Sequence, residues 1–273
     1  MSTPSSRELS VAIAGLGAIG LAVARRLDAG QEGLRLVAVS ARNREGAAAR
    51  MADFAAPVPV LALTDLEADV VVECAPAAVF REIAAPAIAA GRIFLPVSVG
   101  ALLQHDDLIA EARRTGARII VPTGALIGLD AVRAAAEGGI DRVTMVTRKP
   151  PSGLAGAPYL EEHGISLEGL KGPERVFSGS AREGARGFPA NVNVAAALSL
   201  AGIGPASTKV IVIADPASSV NRHEITASGD FGRFRFEMEL KPHDHNPKTS
   251  FLAVVSAIEA LRSACSSGIR IGT

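Results

Sequence analysis

A glycine-rich turn near the start of the chain constrains the fold more than any other feature of the sequence. The apolar segment Leu9–Ala14 has the composition of a buried strand and runs directly into Gly15-Leu16-Gly17-Ala18-Ile19-Gly20. Ile19, Val23 and Leu27 then recur four residues apart, which is the spacing of one face of a helix. A strand, a turn with glycines at this spacing and a helix predict the opening of a βαβ unit.

Strand-like and helix-like segments alternate through the first half of the chain. Alternation of this kind is typical of a doubly wound parallel sheet. We therefore expect a Rossmann-type α/β domain over residues 7–122, completed by a last helix within residues 247–273 that begins at Asn246-Pro247. The further predicted strands are Leu34–Val39, Val58–Leu63, Asp69–Cys74, Ile93–Val99 and Arg118–Val121.

The pattern changes after Pro122. Residues 149–187 are rich in Gly, Pro and Ser and give no clear periodicity. Later, Phe234, Phe236 and Met238 alternate with charged residues, which predicts a half-buried strand of an antiparallel sheet. We expect residues 123–246 to form a second α/β (α+β) domain with a largely antiparallel or mixed sheet.

Composition and charge exclude several classes of protein. Lys plus Arg and Asp plus Glu number 28 each, and the chain has one Tyr and no Trp, so it has no net positive charge to attract nucleic acid and few rings on which bases could stack. The first ten residues are polar, and the longest apolar stretch is interrupted by Pro86, Gly91, Arg92 and Pro96, so we expect neither a signal peptide nor a membrane span. The two cysteines sit in apolar segments, which suits reduced thiols in the cytoplasm.

The glycine turn has the residues that a dinucleotide requires. Gly15 permits a tight turn, Gly17 lets the backbone approach a diphosphate, and Gly20 lets the helix pack closely on the strand. The helix that starts at Ala18 and Ile19 offers free backbone N–H groups to the phosphates. A glycine turn without a ligand is the alternative interpretation.

The residues after the second strand bear on the choice of cofactor. An NAD site usually has a carboxylate there, whereas this chain has Ser40-Ala41-Arg42-Asn43-Arg44. Ser40 and Arg42 would suit the 2′-phosphate of NADP, with arginine giving a forked contact. We therefore favour NADP over NAD, with use of both left open; the alternative is that these arginines are solvated loop charges.

Several further segments together resemble the L-aspartate dehydrogenase family. The resemblance extends from about residue 9 to residue 262, and the combination is more specific than any one segment. The missing carboxylate after the second strand departs from the usual NAD pattern. The segments are Val72-Glu73-Cys74-Ala75, Val97–Ala101, Thr123–Asp130, Arg148–Pro151, Phe188–Ala196 and Asn246–Ser250.

The resemblance implies NAD(P)-dependent oxidation of L-aspartate to iminoaspartate, which gives oxaloacetate and ammonia on hydrolysis. It further implies a homodimer that forms through the catalytic domain, and a supply of iminoaspartate to NAD biosynthesis. By the same resemblance, His223 is the catalytic histidine, and Ala125 and Asn193 contact the cofactor near the nicotinamide. We add Ala75, which follows a central strand at the edge where such sheets bind ligands, to the cofactor-binding set.

Histidine is well suited to this chemistry. Hydride leaves the substrate α-carbon only when the amine is neutral, so a base with a pKa near neutrality is useful. Residues alone leave His223 as one candidate among five histidines, and a hydrogen-bonded structural histidine on a strand is the alternative.

A substrate with two carboxylates needs local positive charge. The helix predicted to start at Asn246-Pro247 would place Lys248 and Thr249 in its first turn, beside free N–H groups. Lys149 is a second candidate, and both lysines have a solvated side chain as the alternative. For Asn191 we favour a simple helix-capping role.

Other interpretations stay open at this point. His243-Asp244-His245 lacks further ligands at metal-binding spacing, so we expect no metal. Cys74 is better explained by packing than by nucleophilic chemistry. The fold would equally suit a homoserine dehydrogenase, a dihydrodipicolinate reductase, although the signature of the latter is missing, or a protein that senses NAD(P) without turnover.

Overall fold

The computed structural model describes residues 8–189, 191–243 and 246–265, and for residues 242–243 and 246–249 it describes the backbone only. The described chain forms two compact units. Unit 1 comprises residues 8–98, 105–122 and 254–265. Unit 2 comprises the described residues of 99–104 and 123–253. Residues 99–104 and 247–253, which the sequence analysis assigned to the first domain, belong to unit 2.

Unit 1 is built on a six-stranded sheet in the order β3-β2-β1-β4-β5-β6. Every pairing in it is parallel, so the predicted Rossmann-type doubly wound sheet is confirmed. The strands are β1 (Leu9–Ala14), β2 (Leu34–Ser40), β3 (Val60–Leu61), β4 (Val70–Glu73), β5 (Ile93–Pro96) and β6 (Arg118–Ile119). The helices are α1 (Ala18–Asp28), α2 (Arg44–Arg50), α3 (Phe80–Ala89), α5 (Asp106–Thr115) and most of α10 (Phe251–Cys265); α4 (Val99–Leu102) belongs to unit 2.

The core of unit 1 explains why its strands are continuous apolar runs. Helices cover both faces of a parallel sheet, so successive side chains on a strand are both buried. Val11 and Val70 on neighbouring strands are fully buried. The last helix supplies Ala257 and Leu261 to the same apolar cluster as β1, β2 and α1.

Unit 2 is built on a five-stranded sheet in the order β11-β10-β7-β9-β8. The pairing of β7 with β9 is parallel and the others are antiparallel, so the predicted mixed sheet is confirmed. The strands are β7 (Ile140–Lys149), β8 (Glu174–Ser180), β9 (Lys209–Ala214), β10 (Asn221–Gly229) and β11 (Gly232–Leu240). Besides α4, the helices are α6 (Leu129–Gly138), α7 (Pro158–Glu162), α8 (Ala181–Gly187) and α9 (Asn193–Ala201).

The two faces of this second sheet differ in burial. Helices α6 and α8 pack against it, and the side chains on one face of β7, β9 and β10 are buried. On the other face the side chains are half-buried or exposed, and they combine apolar residues with paired charges. Those of the central strands are Thr144, Val146, Arg148, Ile211, Ile213, Arg222, Glu224, Thr226 and Ser228.

The segment predicted to open the last helix is a strand instead. Residues Asn246–Ser250 form β13, which pairs with β12 (Pro242–His243), and the helix begins at Phe251. The backbone N–H of Ala253 donates to the Ser250 hydroxyl, which is the interaction expected of a helix N-cap. An Asn-Pro pair is compatible with either structure. Proline has no backbone N–H to donate, and in a two-stranded sheet each strand has one unpaired edge where no such donor is needed.

Among the described residues, no helix combines the length and the apolar character needed to cross a bilayer.

Candidate active site

The glycine turn of unit 1 has little room for side chains at two of its three glycines. Gly15 has φ +98°, and a Cβ added there would lie 2.6 Å from the Cys74 carbonyl oxygen. A Cβ at Gly20 would collide with the Gly15 carbonyl oxygen. At Gly17 nothing lies within 4 Å of the added atom, so this part of the turn faces open space. The backbone is therefore closely packed behind the turn and accessible in front of it.

A cleft of about 670 Å³ opens in front of this turn. Gly17 is the N-cap of α1, which has no acidic side chain in its first turn to repel an anion. Ala18 and Ile19 are the first residues of that eleven-residue helix. A diphosphate fits such a helix start, because backbone N–H groups and the helix dipole both favour negative charge. The cleft is lined by Gly15, Leu16, Gly17, Ala41, Arg42, Asn43, Gly46, Ala47, Arg50, Cys74, Ala75 and Pro76.

The end of the cleft beyond β2 is cationic. Exposed Arg42 lines it, while the Ser40 side chain is buried and does not. The described lining has no Asp or Glu. Arg50, which the sequence analysis did not single out, also lines the cleft, and its guanidinium donates to the Leu16 carbonyl oxygen at 2.7 Å. The signal in the sequence is its spacing, because Arg50 follows the loop of Arg42 by about two helical turns at the end of α2.

Unit 2 holds His223 in a buried position on β10. Its side chain is 3% exposed, and its Nδ1 lies 3.1 Å from the Thr147 hydroxyl on the neighbouring strand β7. Burial, with a smaller effect from the positive charge of Lys149, lowers the pKa of His223 to about 3. The imidazole is therefore neutral near pH 7, which is the form that can accept a proton.

Lys149 lies on the same face of the sheet as His223. It is the last residue of β7, and its ammonium donates to the Asn191 side-chain oxygen at 2.8 Å. The register of the two strands pairs His223 with Thr147, so Lys149 occupies the diagonal position across the strand pair. The side chain is 4% exposed, and burial lowers the pKa of the ammonium to about 8.

Asn191 has a different role from the helix cap that the sequence suggested. Helix α9 begins at Asn193 with Val192 at its N-cap, so Asn191 lies outside it. Its side chain instead accepts the hydrogen bond from Lys149. No spacing in the sequence links these two residues, which are 42 positions apart, so this partnership appears only in the fold.

The remaining predicted residues are placed as follows. The Asn193 side-chain oxygen accepts from the Gly100 backbone N–H at 3.0 Å, which leaves the amide nitrogen of Asn193 as a donor. Ala125 is 7% exposed and lies within the turn closed by the Leu126 N–H and the Thr123 carbonyl. Lys248 and Thr249 lie on strand β13, so their predicted place in a helical turn is wrong, and their side chains lie outside the described residues.

Two of the competing histidines are engaged elsewhere. His105 stacks on Phe80 and His163 stacks on Tyr159. Within the described side chains, no group of three His, Cys, Asp or Glu is arranged to hold a metal ion. The segment His243-Asp244-His245 lies outside the residues whose side chains are described.

Both halves of the chain match families of known dehydrogenases. The family profile described as the carboxy-terminal domain of aspartate dehydrogenase matches residues 130–264. The profile of the NAD-binding domain of homoserine dehydrogenase matches residues 15–122. The L-aspartate dehydrogenase 3 of Bordetella bronchiseptica is 49% identical over 98% of this chain and 99% of its own length. The L-aspartate dehydrogenase of Bradyrhizobium diazoefficiens is 50% identical over 94% of this chain and 92% of its own length.

Solved structures give the same picture of the fold. The aspartate dehydrogenase of Thermotoga maritima is similar with a TM-score of 0.70 and 26% identity, covering 96% of this chain and 99% of its own. A myo-inositol dehydrogenase from Corynebacterium glutamicum is similar with a TM-score of 0.52 and 15% identity, covering 93% of this chain and 86% of its own. At that identity the second likeness concerns the fold alone.

Proposed function

The chain belongs to the L-aspartate dehydrogenase family, and on that premise we propose that it oxidises L-aspartate to iminoaspartate with a nicotinamide dinucleotide as hydride acceptor. Water then converts the imine to oxaloacetate and ammonia. The observation that carries the proposal is the pair of buried groups Lys149 and His223 on one face of the second sheet, one cationic and one neutral.

Charge balance favours a dicarboxylic amino acid beside these two groups. At neutral pH L-aspartate carries two carboxylates and one ammonium, a net charge of −1. Lys149 carries +1 below its pKa of about 8, so the buried pair and the substrate together are neutral. A neutral ensemble avoids the large cost of burying an unpaired charge. We propose that the Lys149 ammonium binds a substrate carboxylate. The hydrogen bond to Asn191 holds this lysine ammonium in position.

His223 accepts the proton that the substrate must lose. The amine lone pair assists hydride departure only after the ammonium has given its proton to a base. If the His223 Nδ1–H donates to Thr147, the tautomer is fixed with the Nε2 lone pair free. The two substrate carboxylates stabilise the resulting imidazolium, which the unliganded site disfavours. After the hydride has left, the imidazolium releases this proton to solvent, and the regenerated imidazole serves as the base for water during hydrolysis of the imine.

The cleft of unit 1 suits the cofactor. We propose that the backbone of Gly15, Gly17, Ala18, Ile19 and Gly20 receives the diphosphate. A bound nicotinamide supplies the hydride acceptor, and Ala75, Ala125 and Asn193 contribute to its binding. Arg42 supports a preference for NADP, with NAD also used. Because the Ser40 side chain is buried, its part in binding a 2′-phosphate is less well supported than that of Arg42.

Replacing Arg42 with alanine should lower kcat/KM for NADP by about 10- to 100-fold while leaving the value for NAD within twofold, since a charge-assisted hydrogen bond contributes about 1.5–3 kcal/mol. Steady-state kinetics with both cofactors at saturating L-aspartate measure this ratio. Arg44→Ala is the matched control, because Arg44 is exposed at the start of α2, two residues after Arg42, but does not line the cleft. Equal losses with both cofactors would remove Arg42 from the phosphate site.

The proposed reaction is tested by assay with L-aspartate and each cofactor, and in reverse with oxaloacetate, ammonia and NADPH. Homoserine and other amino acids serve as competing substrates. We expect turnover with L-aspartate only. Turnover with homoserine would favour the homoserine dehydrogenase alternative. Binding of NADPH without turnover of any of these would favour a sensor.

We propose a homodimer that forms through the exposed face of the second sheet. The half-buried side chains of Val146, Ile211 and Ile213 make its apolar centre, and β10 and β11 flank it with charges. Those charges have both signs, since Arg235 pairs with Glu224 at 2.8 Å. A face that is apolar in the middle and bears both charges at its rim suits a second copy related by a twofold axis.

The Ile211→Glu variant should sediment as a monomer at protein concentrations where the unsubstituted chain is a dimer, because burying a carboxylate at the centre of the interface costs several kcal/mol. Analytical ultracentrifugation measures both. Lys171→Glu, at an exposed position of unit 2 outside this face, is the control and should remain dimeric. A monomeric unsubstituted chain at tens of micromolar would contradict the proposal.

Delivery of iminoaspartate to NAD biosynthesis and a cytoplasmic location stay predictions.

A further inference from the structure

One buried carboxylate in unit 1 has no part in the reaction described above. Glu73 is the last residue of β4, and its side chain is 0% exposed. The rest of that strand is valine, so the carboxylate sits at the end of an apolar strand in the interior of the unit. A buried charge of this kind is costly unless hydrogen bonds compensate it.

Three donors from two different loops compensate the Glu73 carboxylate. One oxygen accepts from the Ala75 backbone N–H at 2.9 Å and from the Ser98 hydroxyl at 3.0 Å. The other accepts from the Ser98 backbone N–H at 2.9 Å. Ala75 belongs to the loop after β4, and Ser98 belongs to the loop after the neighbouring strand β5. The carboxylate thus joins the starts of two adjacent loops at the carboxyl edge of the sheet.

One of those loops is part of the cofactor cleft. Cys74, Ala75 and Pro76 form a wall of it, and the Cys74 carbonyl lies against Gly15 of the phosphate turn. We propose that Glu73 is a positioning residue for the cofactor: by holding the Ala75 N–H and Ser98 together, its carboxylate sets the shape of this wall. The inference rests on the cofactor role of the cleft proposed above.

The ionised form is the one that matches the three donors. Burial raises the pKa of Glu73 to about 7, and the hydrogen bonds from Ser98 and Ala75 act in the opposite direction. On protonation the carboxyl can donate to the Ser98 hydroxyl, which then turns to the Ala75 carbonyl oxygen 3.2 Å away. The loop is then held by a different set of bonds and without the negative charge. Cofactor affinity should therefore fall as the pH drops through about 7.

Few other groups can produce such a pH dependence. Among the described residues, the neighbouring titratable group is the Cys74 thiol, whose pKa is raised well above its usual range by burial and by the charge of Glu73, so the thiol stays neutral. The charged side chains that line the cleft are the two arginines Arg42 and Arg50. NADH is the appropriate probe, because it lacks the 2′-phosphate of NADPH, which itself titrates near pH 6.

The test is the dissociation constant of NADH, measured by its fluorescence from pH 5.5 to 8.5. We expect about tenfold weaker binding at pH 6 than at pH 8 for the unsubstituted chain, as for one titrating group with a pKa near 7. Glu73→Gln should bind NADH about tenfold more weakly at pH 8 and show no pH dependence, since its amide leaves one N–H facing another donor. Glu67→Gln, at an exposed position before β4, is the matched control and should behave as the unsubstituted chain does.

A second variant keeps the proposal testable if Glu73→Gln does not fold. Ser98→Ala removes one hydrogen bond that lowers the pKa of Glu73 and keeps the carboxylate, so it should move the midpoint of the pH curve upward. A role confined to stability would not move this midpoint. Identical NADH affinity at pH 6 and pH 8 in the unsubstituted chain, or an unchanged midpoint in Ser98→Ala, overturns the proposal. Failure to bind NADH or NADPH at any pH overturns the cofactor role itself.

Discussion

Replacing His223 with alanine should lower kcat for L-aspartate oxidation by roughly 10³-fold, within the range that a positioned acid or base contributes. The substrate ammonium would have to lose its proton to bulk water instead of the buried imidazole. The dissociation constant of NADPH should change by less than threefold, because every residue that lines the phosphate cleft belongs to unit 1 and none to β10. Steady-state kinetics and fluorescence titration give the two values.

Two further variants test whether the effect is specific to the His223 imidazole. His163→Asn replaces an exposed histidine that stacks on Tyr159, and it should retain full activity. Thr147→Val removes the hydrogen bond that selects the imidazole tautomer, and it should give an intermediate loss of kcat, since the ring remains. A His223→Ala enzyme with kcat within threefold of the unsubstituted enzyme would assign proton transfer to another group, while leaving the family membership untouched.

Replacing Lys149 with methionine should raise KM for L-aspartate by roughly 10²-fold, because truncating one partner of a buried charge pair costs about 2–5 kcal/mol. KM for the cofactor should stay within threefold. Lys209→Met, at an exposed position on the same sheet, is the matched control and should change neither value. Equal effects of Lys149→Met on both KM values would remove Lys149 from the substrate site.

The pH dependence of the Lys149 effect has a definite sign. The pKa of Lys149 is lowered from 10.5 to about 8, so the ammonium is present below pH 8 and lost above it. Succinate has two carboxylates that stay ionised from pH 7 to pH 10, so over this range its inhibition constant reports the enzyme alone. That constant should rise above about pH 8 in the unsubstituted enzyme and stay low to higher pH in Lys149→Arg.

The same lysine should reduce stability. In the unfolded chain Lys149 holds its proton up to a pKa near 10.5, whereas in the folded chain it does so only to about 8. Folding therefore works against the charged form at every pH below about 8, by about 3 kcal/mol for the difference in pKa. Lys149→Met should accordingly raise the midpoint of thermal unfolding by several degrees while impairing substrate binding. A lower midpoint would show that the contact with Asn191 outweighs the cost of burial.

The sequence was most informative where local pattern and tertiary environment agree. The parallel sheet of unit 1 follows from apolar runs such as Leu9–Ala14, because strands buried on both faces must be apolar throughout. The glycine turn could be predicted for a similar reason. Gly15 and Gly20 lie where neighbouring backbone atoms leave no space for a Cβ, so the local sequence and the packing require the same residue. Arg42 was identified from its place in the loop after β2, and it does line the cleft.

The sequence was least informative about contacts between distant segments. Asn191 looked like a helix cap because Asn is a good cap, yet its partner is Lys149 in another element. Asn246-Pro247 has the local composition of a helix start, but pairing with Pro242–His243 draws it into a strand. The burial of the Glu73 carboxylate could not be predicted from the sequence either. The free-energy cost of burying it is offset by hydrogen bonds from Ser98, which lies 25 positions away. The conformational preferences of neighbouring residues carry no information about any of these distant partners.

The last helix has a consequence for how the protein is made. Ala257 and Leu261, near the end of the chain, complete the apolar cluster around β1, which lies near its beginning. A fragment ending at Pro122 would lack both side chains, and the first sheet would expose the apolar surface they cover. During synthesis this apolar cluster can therefore be completed only after all of unit 2 up to α10 has been translated, although its first strand is made long before.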